Sequence, residues 1–178
     1  MDYKSQLLTS EDVSRILRRI SHQIIEKNHG VEDLCLIGIR TRGVPLAKRL
    51  SQNILAIEGR EIPVGELDIT LYRDDLRKIA KSPEVKGTKV DFSVEGKTVV
   101  LVDDVIFTGR TARAALDAVM KLGRPSKIQL CVLIDRGHSE LPIKANFVGK
   151  NIPTSLDEVV AVRLTDTDTQ EGVHLYSK

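Results

Sequence analysis

Residues 98–111 read TVVLVDDVIFTGRT, and this stretch decides the fold. Thr98–Val102 is a short unbroken apolar run, the pattern of a strand covered on both faces of a parallel sheet. Asp103 and Asp104 close that run, the turn VIFTGRT follows, and a helix is expected from about Thr111 to Leu122. Ala112, Ala115, Leu116, Val119 and Met120 recur at helical spacing as its apolar stripe, and Gly123 with Pro125 marks its end. The same construction stands upstream. Leu34–Ile39 (LCLIGI) is a second buried strand, Arg40-Thr41-Arg42-Gly43 a polar turn, and a helix follows from about Val44. Pro45 sits in its first turn, where proline is tolerated, and Leu46, Ala47, Leu50, Ile54 and Ile57 form its inner face. Ile128–Ile134 is a third buried strand. Strand, turn and helix in alternation predict an α/β protein with a mostly parallel twisted sheet flanked by helices.

The rest of the chain fits around this frame. Thr9-Ser10-Glu11-Asp12 is a capping signal, and Val13, Ile16, Leu17, Ile20 and Ile24 make residues 10–28 an amphipathic helix stopped by His29-Gly30. Ile62–Leu71 alternates as a strand would, whereas residues 72–96 are charged and irregular, which suits an excursion from the sheet built as a β-hairpin. Residues 135–178 hold short strands and turns.

Composition removes several classes. Among 178 residues 41% are apolar and 29% charged, so disordered, collagenous and coiled-coil architectures are excluded, and the length suits a single domain spanning 1–178. The net charge of +2 does not advertise a polyanion partner, so one would need a local patch. Cys35 and Cys131 sit inside apolar runs as core thiols, consistent with a reducing cytoplasm. No run approaches the ~18 apolar residues of a membrane span, and MDYKSQ lacks the apolar centre of a signal peptide.

The chemistry concentrates in the two turns. Ligands of parallel sheets sit beyond the carboxyl ends of the strands, where helix N-termini offer free N–H groups to anions. Arg40–Gly43 supplies two guanidinium groups, a hydroxyl and a glycine, a set that suits pyrophosphate but would equally serve an ordinary surface turn. Thr108-Gly109-Arg110-Thr111 makes a phosphate cradle without the lysine of a Walker P-loop. Asp103 and Asp104 are costly at a strand end unless they hold sugar hydroxyls or the waters of a metal. Two anion pockets with carboxylates between them describe a ligand phosphorylated at both ends with hydroxyls in the middle, the shape of phosphoribosyl pyrophosphate (PRPP).

VVLVDDVIFTGRT (99–111) resembles the signature of type I phosphoribosyltransferases. The resemblance implies that Asp103 and Asp104 hold the ribose and Mg²⁺, the metal through water and PRPP. It implies that Phe107, Thr108, Gly109, Arg110 and Thr111 hold the 5′-phosphate, and that Arg40, Thr41, Arg42 and Gly43 form the pyrophosphate loop. GIRTRG (38–43), VGELDITLYRDDL (64–76) and DRGHSELPIKANFVGKNIPTS (135–155) are similar to the pyrimidine operon attenuation regulators, a family that combines binding of leader mRNA with uracil phosphoribosyltransferase activity. Its fold implies a flexible loop at about 68–92, with Thr70, Leu71, Tyr72 and Arg73 closing over the site and Arg73 adding charge to the pyrophosphate. It also implies a small hood from about 135–178 and parts of the N-terminus, with Asp135, Arg136, Gly137 and His138 reading the base. Catalysis would rest on Asp103, Asp104, Arg40 and Arg73.

The same family implies UMP-dependent binding of pyrimidine operon leader mRNA, UMP or UTP as effectors, and a homodimer or higher assembly in the cytoplasm, away from membranes. Arg15, Arg18, Arg19 and His22 fall opposite the apolar stripe of the first helix, as an RNA-facing or simply solvated face would. Lys27, Thr41, Arg42, His138, Lys144 and Lys150 match the family's RNA-contact regions. There is one departure: Ser139 stands where the family usually has arginine. The alternative expectation is a salvage enzyme for uracil or a purine base without RNA regulation.

Overall fold

The computed structural model describes residues 1–70 and 87–178. In chain order the elements are β1 (Asp2–Leu8), α1 (Ser10–Lys27), β2 (Leu34–Ile39), α2 (Gly43–Glu58), β3 (Val64–Leu67), β4 (Thr98–Ile106), α3 (Arg110–Leu122), β5 (Lys127–Asp135), β6 (Phe147–Asn151), β7 (Glu158–Arg163) and β8 (Gly172–Ser177). Five strands form an all-parallel sheet in the order β3-β2-β4-β5-β6, and the other three form an antiparallel sheet, β1-β8-β7. The second sheet, termed the hood below, recruits the first residues of the chain as β1 against β8, whereas β6, inside the range 135–178 expected for a hood, joins the parallel sheet.

Side chains alternate across the parallel sheet, as the period of two requires. On β4, Val100 and Val102 join Leu17, Ile20, Leu46, Leu50 and Ile54 beneath α1 and α2. Val99 and Leu101 join Ala112, Ala115, Ala118 and Val119 of α3 on the other face. Val160, Val162 and Val173 of the hood belong to the first cluster, so the two sheets share a core. Cys131 lies in the first cluster and Cys35 in the second, both buried and free.

Several expectations are corrected. The strand read over Ile62–Leu71 spans only Val64–Leu67, because Asp68 turns the chain by accepting from the N–H and hydroxyl of Thr70. Of the loop residues, Leu71, Tyr72 and Arg73 lie outside the described residues. Among the described residues, Lys89 forms an antiparallel bridge with Glu66. Asp103 and Asp104 do not end their strand: β4 continues to Ile106. Met120 and Ile57 are exposed (62% and 37%), at helix ends where the sheet no longer covers them.

Candidate active site

The helix N-termini show where an anion would be welcome. α1 is capped in full: Thr9 accepts from Asp12 N–H, and the Asp12 carboxylate accepts from Thr9 N–H. Neither α2 nor α3 has a side-chain cap or an acidic residue in its first turn. Apart from Arg110 N–H, which Thr108 Oγ1 takes at 3.4 Å, their first N–H groups are open to a ligand. Both helices begin at the carboxyl ends of adjacent parallel strands, β2 and β4, which brings the two turns to one place.

Two glycines make this approach possible. A Cβ on Gly43 would collide with the carbonyl oxygen of Val102 and lie 3.3 Å from Asp103 Cα. The Arg40–Gly43 turn is therefore pressed directly onto the backbone that carries the carboxylates. Gly109 opens α3 at φ +89, a conformation that favours glycine. Thr108 Oγ1 accepts from Arg110 N–H at 3.4 Å and shapes the cradle.

Three cavities meet around Asp103 and Asp104. One of about 310 Å³ is lined by Asp103, Phe107, Thr108, Gly109, Arg110 and Thr111, among others. A second, about 440 Å³, lies among Arg40, Thr41, Asp68, Thr70, Asp103, Asp104 and Thr111. A third, also about 440 Å³, lies between Asp104 and the hood, walled by Arg42, Val160, Ala161, Val162, Arg163, Asp168 and Thr169. Burial pushes the Asp103 carboxyl well above its ordinary range, and the neighbouring Asp104 charge pushes it further. Burial also raises Asp104, though hydrogen bonds from its neighbours and the charge of Arg42 pull it back. Two recessed carboxylates under mutual repulsion favour hydroxyl donors or a cation between themselves and a ligand. Among the described residues no group of three metal-ligating side chains assembles. This pair therefore fits a Mg²⁺ held mainly by substrate oxygens and water, not one caged by protein.

The expected base-reading segment is placed differently. Arg136 is buried, stacks over the Phe107 ring at 4.0 Å, and donates to Thr154 Oγ1 and the Ser155 carbonyl at 2.9 Å each. Its guanidinium braces the phosphate loop from behind. Asp135 accepts from Gly137 N–H at 2.9 Å, and exposed His138 packs edge-on to Phe107 with its Nε2 2.6 Å from the Thr154 carbonyl. The hood-side cavity is lined instead by β7 and by Asp168 and Thr169, which sequence reasoning missed. Their only signal was the TDTDT run at 165–169, which reads as a turn.

The basic residues separate as well. Arg18 and His22 are exposed on α1, and Arg15 is exposed in an ion pair with Glu11 at 2.5 Å. Arg19 donates to the carbonyl of Gly149 and so pins α1 to β6. Lys150 is exposed on β6 next to Gly149, the residue that Arg19 holds. Lys27 occupies the last turn, ~18 Å from Arg15 at 1.5 Å per residue. Thr41 and Lys144 are exposed, and Ser139 closes a local turn by donating to the Leu141 carbonyl at 2.6 Å.

Fold and site together define a phosphoribosyltransferase, and residues 4–166 match the phosphoribosyl transferase domain family. Similar proteins include the bifunctional protein PyrR of Pelotomaculum thermopropionicum, 63% identical over 96% of this chain and 94% of that one. PyrR of Clostridioides difficile is 58% identical over 96% of each chain, and that of Thermus aquaticus 55% over 100% and 98%. The fold is shared with hypoxanthine phosphoribosyltransferases of Trypanosoma cruzi (TM-score 0.75, 19% identity, 97% and 95% covered) and Staphylococcus aureus (0.69, 23%, 89% and 82%). The chain belongs to the PyrR family, the pyrimidine regulators and uracil phosphoribosyltransferases whose motifs its sequence carries.

Proposed function

We propose that this chain transfers the phosphoribosyl group of PRPP to uracil, giving UMP and pyrophosphate, and that it binds pyrimidine operon leader mRNA in response to UMP. The observation that carries the enzymatic half is the meeting of three cavities at one carboxylate pair. The 5′-phosphate takes the uncapped N-terminus of α3 at Phe107–Thr111, and pyrophosphate takes the side of Arg40, Thr41 and the N-terminus of α2. Asp103 and Asp104 take the ribose hydroxyls, and the base takes the hood side along β7.

Little covalent work falls to the protein. C1 of the sugar passes through an oxocarbenium-like state as the pyrophosphate departs and the base nitrogen arrives. The chain holds the two reactants in line, and Arg40 with the free N–H groups of α2 stabilises the departing charge. Asp103 and Asp104 would hold a Mg²⁺ through water and substrate oxygens, and it would supply further positive charge there. The β7 wall is apolar at Val160 and Val162, which excludes water from the base.

The regulatory half rests on Arg15, Arg18 and His22, exposed along α1, and on exposed Lys150 at the end of β6, a surface for which the A-form backbone is the natural ligand. Assembly as a homodimer or larger would multiply that surface. Two measurements test the proposal. Turnover of a base panel with PRPP should favour uracil, and activity with hypoxanthine or orotate alone would sink the substrate assignment. Filter binding to the operon's own leader RNA should tighten with UMP and weaken steeply with salt. Binding no better than to a scrambled RNA would leave a salvage enzyme.

A further inference from the structure

Both arginines of the β2–α2 turn are held by carboxylates, and by different ones. Arg40 Nη2 stands 3.5 Å from Glu66 on β3. Arg42 points the other way: its Nε and Nη2 donate to the two oxygens of Asp168 at 3.3 and 3.0 Å. Asp168 lies in the turn between β7 and β8, and its carboxylate also accepts from Leu164 N–H at 3.0 Å and Thr167 Oγ1 at 2.8 Å. Four donors converge on one carboxylate, so its own turn fixes it before Arg42 arrives. The two-point geometry then fixes the guanidinium in orientation as well as position. Arg42 and Asp168 line the hood-side cavity together with Asp104 and the β7 residues Val160–Arg163.

We infer that Asp168 is a positioning residue for base binding: by holding Arg42 in this two-point contact it fixes the wall that Arg42 forms in the cavity beside Asp104 and β7, and with it the fit of the base. The inference rests on the transferase reading above. It also divides labour within the pyrophosphate turn. Arg40 and Thr41 line the anion side, whereas Arg42 is a wall of the hood side. An arginine free to meet pyrophosphate would have to leave a filled two-point contact and uncover a carboxylate beside Asp104. Lysine at 42 would keep the charge but not the fork.

The test compares the wild type with Asp168→Asn, Asp168→Glu and Arg42→Lys. Asp168→Asn and Arg42→Lys should each raise KM for uracil about tenfold while moving KM for PRPP less, and Asp168→Glu should recover part of the loss. The double variant should lose less than the two single losses combined, as expected for residues acting through one contact. Hydrogen exchange of the ligand-free protein gives a readout independent of activity. Amides at 40–44 and at 164–168 should lose protection together in Asp168→Asn, because the strut joins them. A rise in KM for PRPP instead of uracil would overturn the inference, and so would exchange that changes at 164–168 alone. A wild type without uracil turnover would refute the transferase reading, and the exchange comparison would still decide whether the strut exists.

Discussion

Gly43→Ala probes the contact on which the whole site depends. The added methyl would collide with the Val102 carbonyl oxygen and stand 3.1 Å from its carbon and 3.3 Å from Asp103 Cα. All three neighbours are backbone atoms of the central strand, so none can swing aside. Relief requires the start of α2 to retreat by about 1 Å, with a cost of about 1–3 kcal/mol for overpacking. The same movement carries the pyrophosphate turn away from Asp103, and a displacement of that size can cost on the order of 100-fold in rate. A control separates geometry from stability. Gly59 caps the other end of α2 at φ +69 with nothing near its missing Cβ, so Gly59→Ala costs about 1–2 kcal/mol from backbone strain alone. Urea denaturation and kcat/KM for PRPP should therefore show two variants of comparable stability, of which only Gly43→Ala has lost turnover. Equal activities in the two, at reduced stability, would refute the claim that this glycine sets the site's geometry.

Three further outcomes follow from the electrostatics. In magnesium-free buffer Asp103→Asn should melt higher than the wild type at neutral pH while losing turnover. The Asp103 carboxyl is raised by burial and by Asp104, so its folded form is at ease below the usual 3.8 and is destabilised as pH climbs through the raised value. The gain should vanish in acid, and a melting-temperature difference independent of pH would contradict it. Lys150→Ala and Arg18→Ala should each weaken leader RNA binding and flatten its salt dependence by about one unit of slope, and Lys27→Ala, at the far end of α1, should do less. Equal losses at all three positions in filter binding would rule out a surface centred on Arg18 and Lys150. Cys35 and Cys131, pushed by burial up to about 11 and about 12, should resist alkylation in the folded protein and react fully once unfolded, as mass spectrometry would show.

The parallel sheet was legible because its signals are local. LCLIGI, TVVLV and IQLCVLI are too apolar and too short for anything but covered strands, and each polar turn after the first two is followed by a helical stripe. The capping box at Thr9 and Asp12 formed as read. What failed to show was decided by partners distant in sequence. β1 is polar and mostly exposed, and only its pairing with β8 makes it a strand. The acids at 103 and 104 look like a terminus in a one-dimensional pattern, yet β4 continues because Val105 and Ile106 find partners on β5.

The site divides along the same line. Its phosphate-binding half is written in turn chemistry, since glycine and hydroxyls ahead of a helix have few other uses. Its base-binding half is written in tertiary contacts. Arg136 and Arg42 look alike in sequence, each a cation in a loop after a parallel strand. One is buried behind Phe107 and holds Thr154 and Ser155, while the other is taken by Asp168, which lies 126 residues further along the chain. Whether an arginine greets a ligand or holds the wall around it depends on which acceptors the fold delivers to it. In the described structure the hood delivers a carboxylate to Arg42, and the N-termini of α2 and α3 carry no side-chain cap. Transfer of a sugar between an anionic leaving group and a neutral base needs this separation. Charge on the leaving side speeds transfer only so far as it meets the departing pyrophosphate more strongly than the bound substrate, a task that falls to Arg40 because Arg42 is already committed to Asp168.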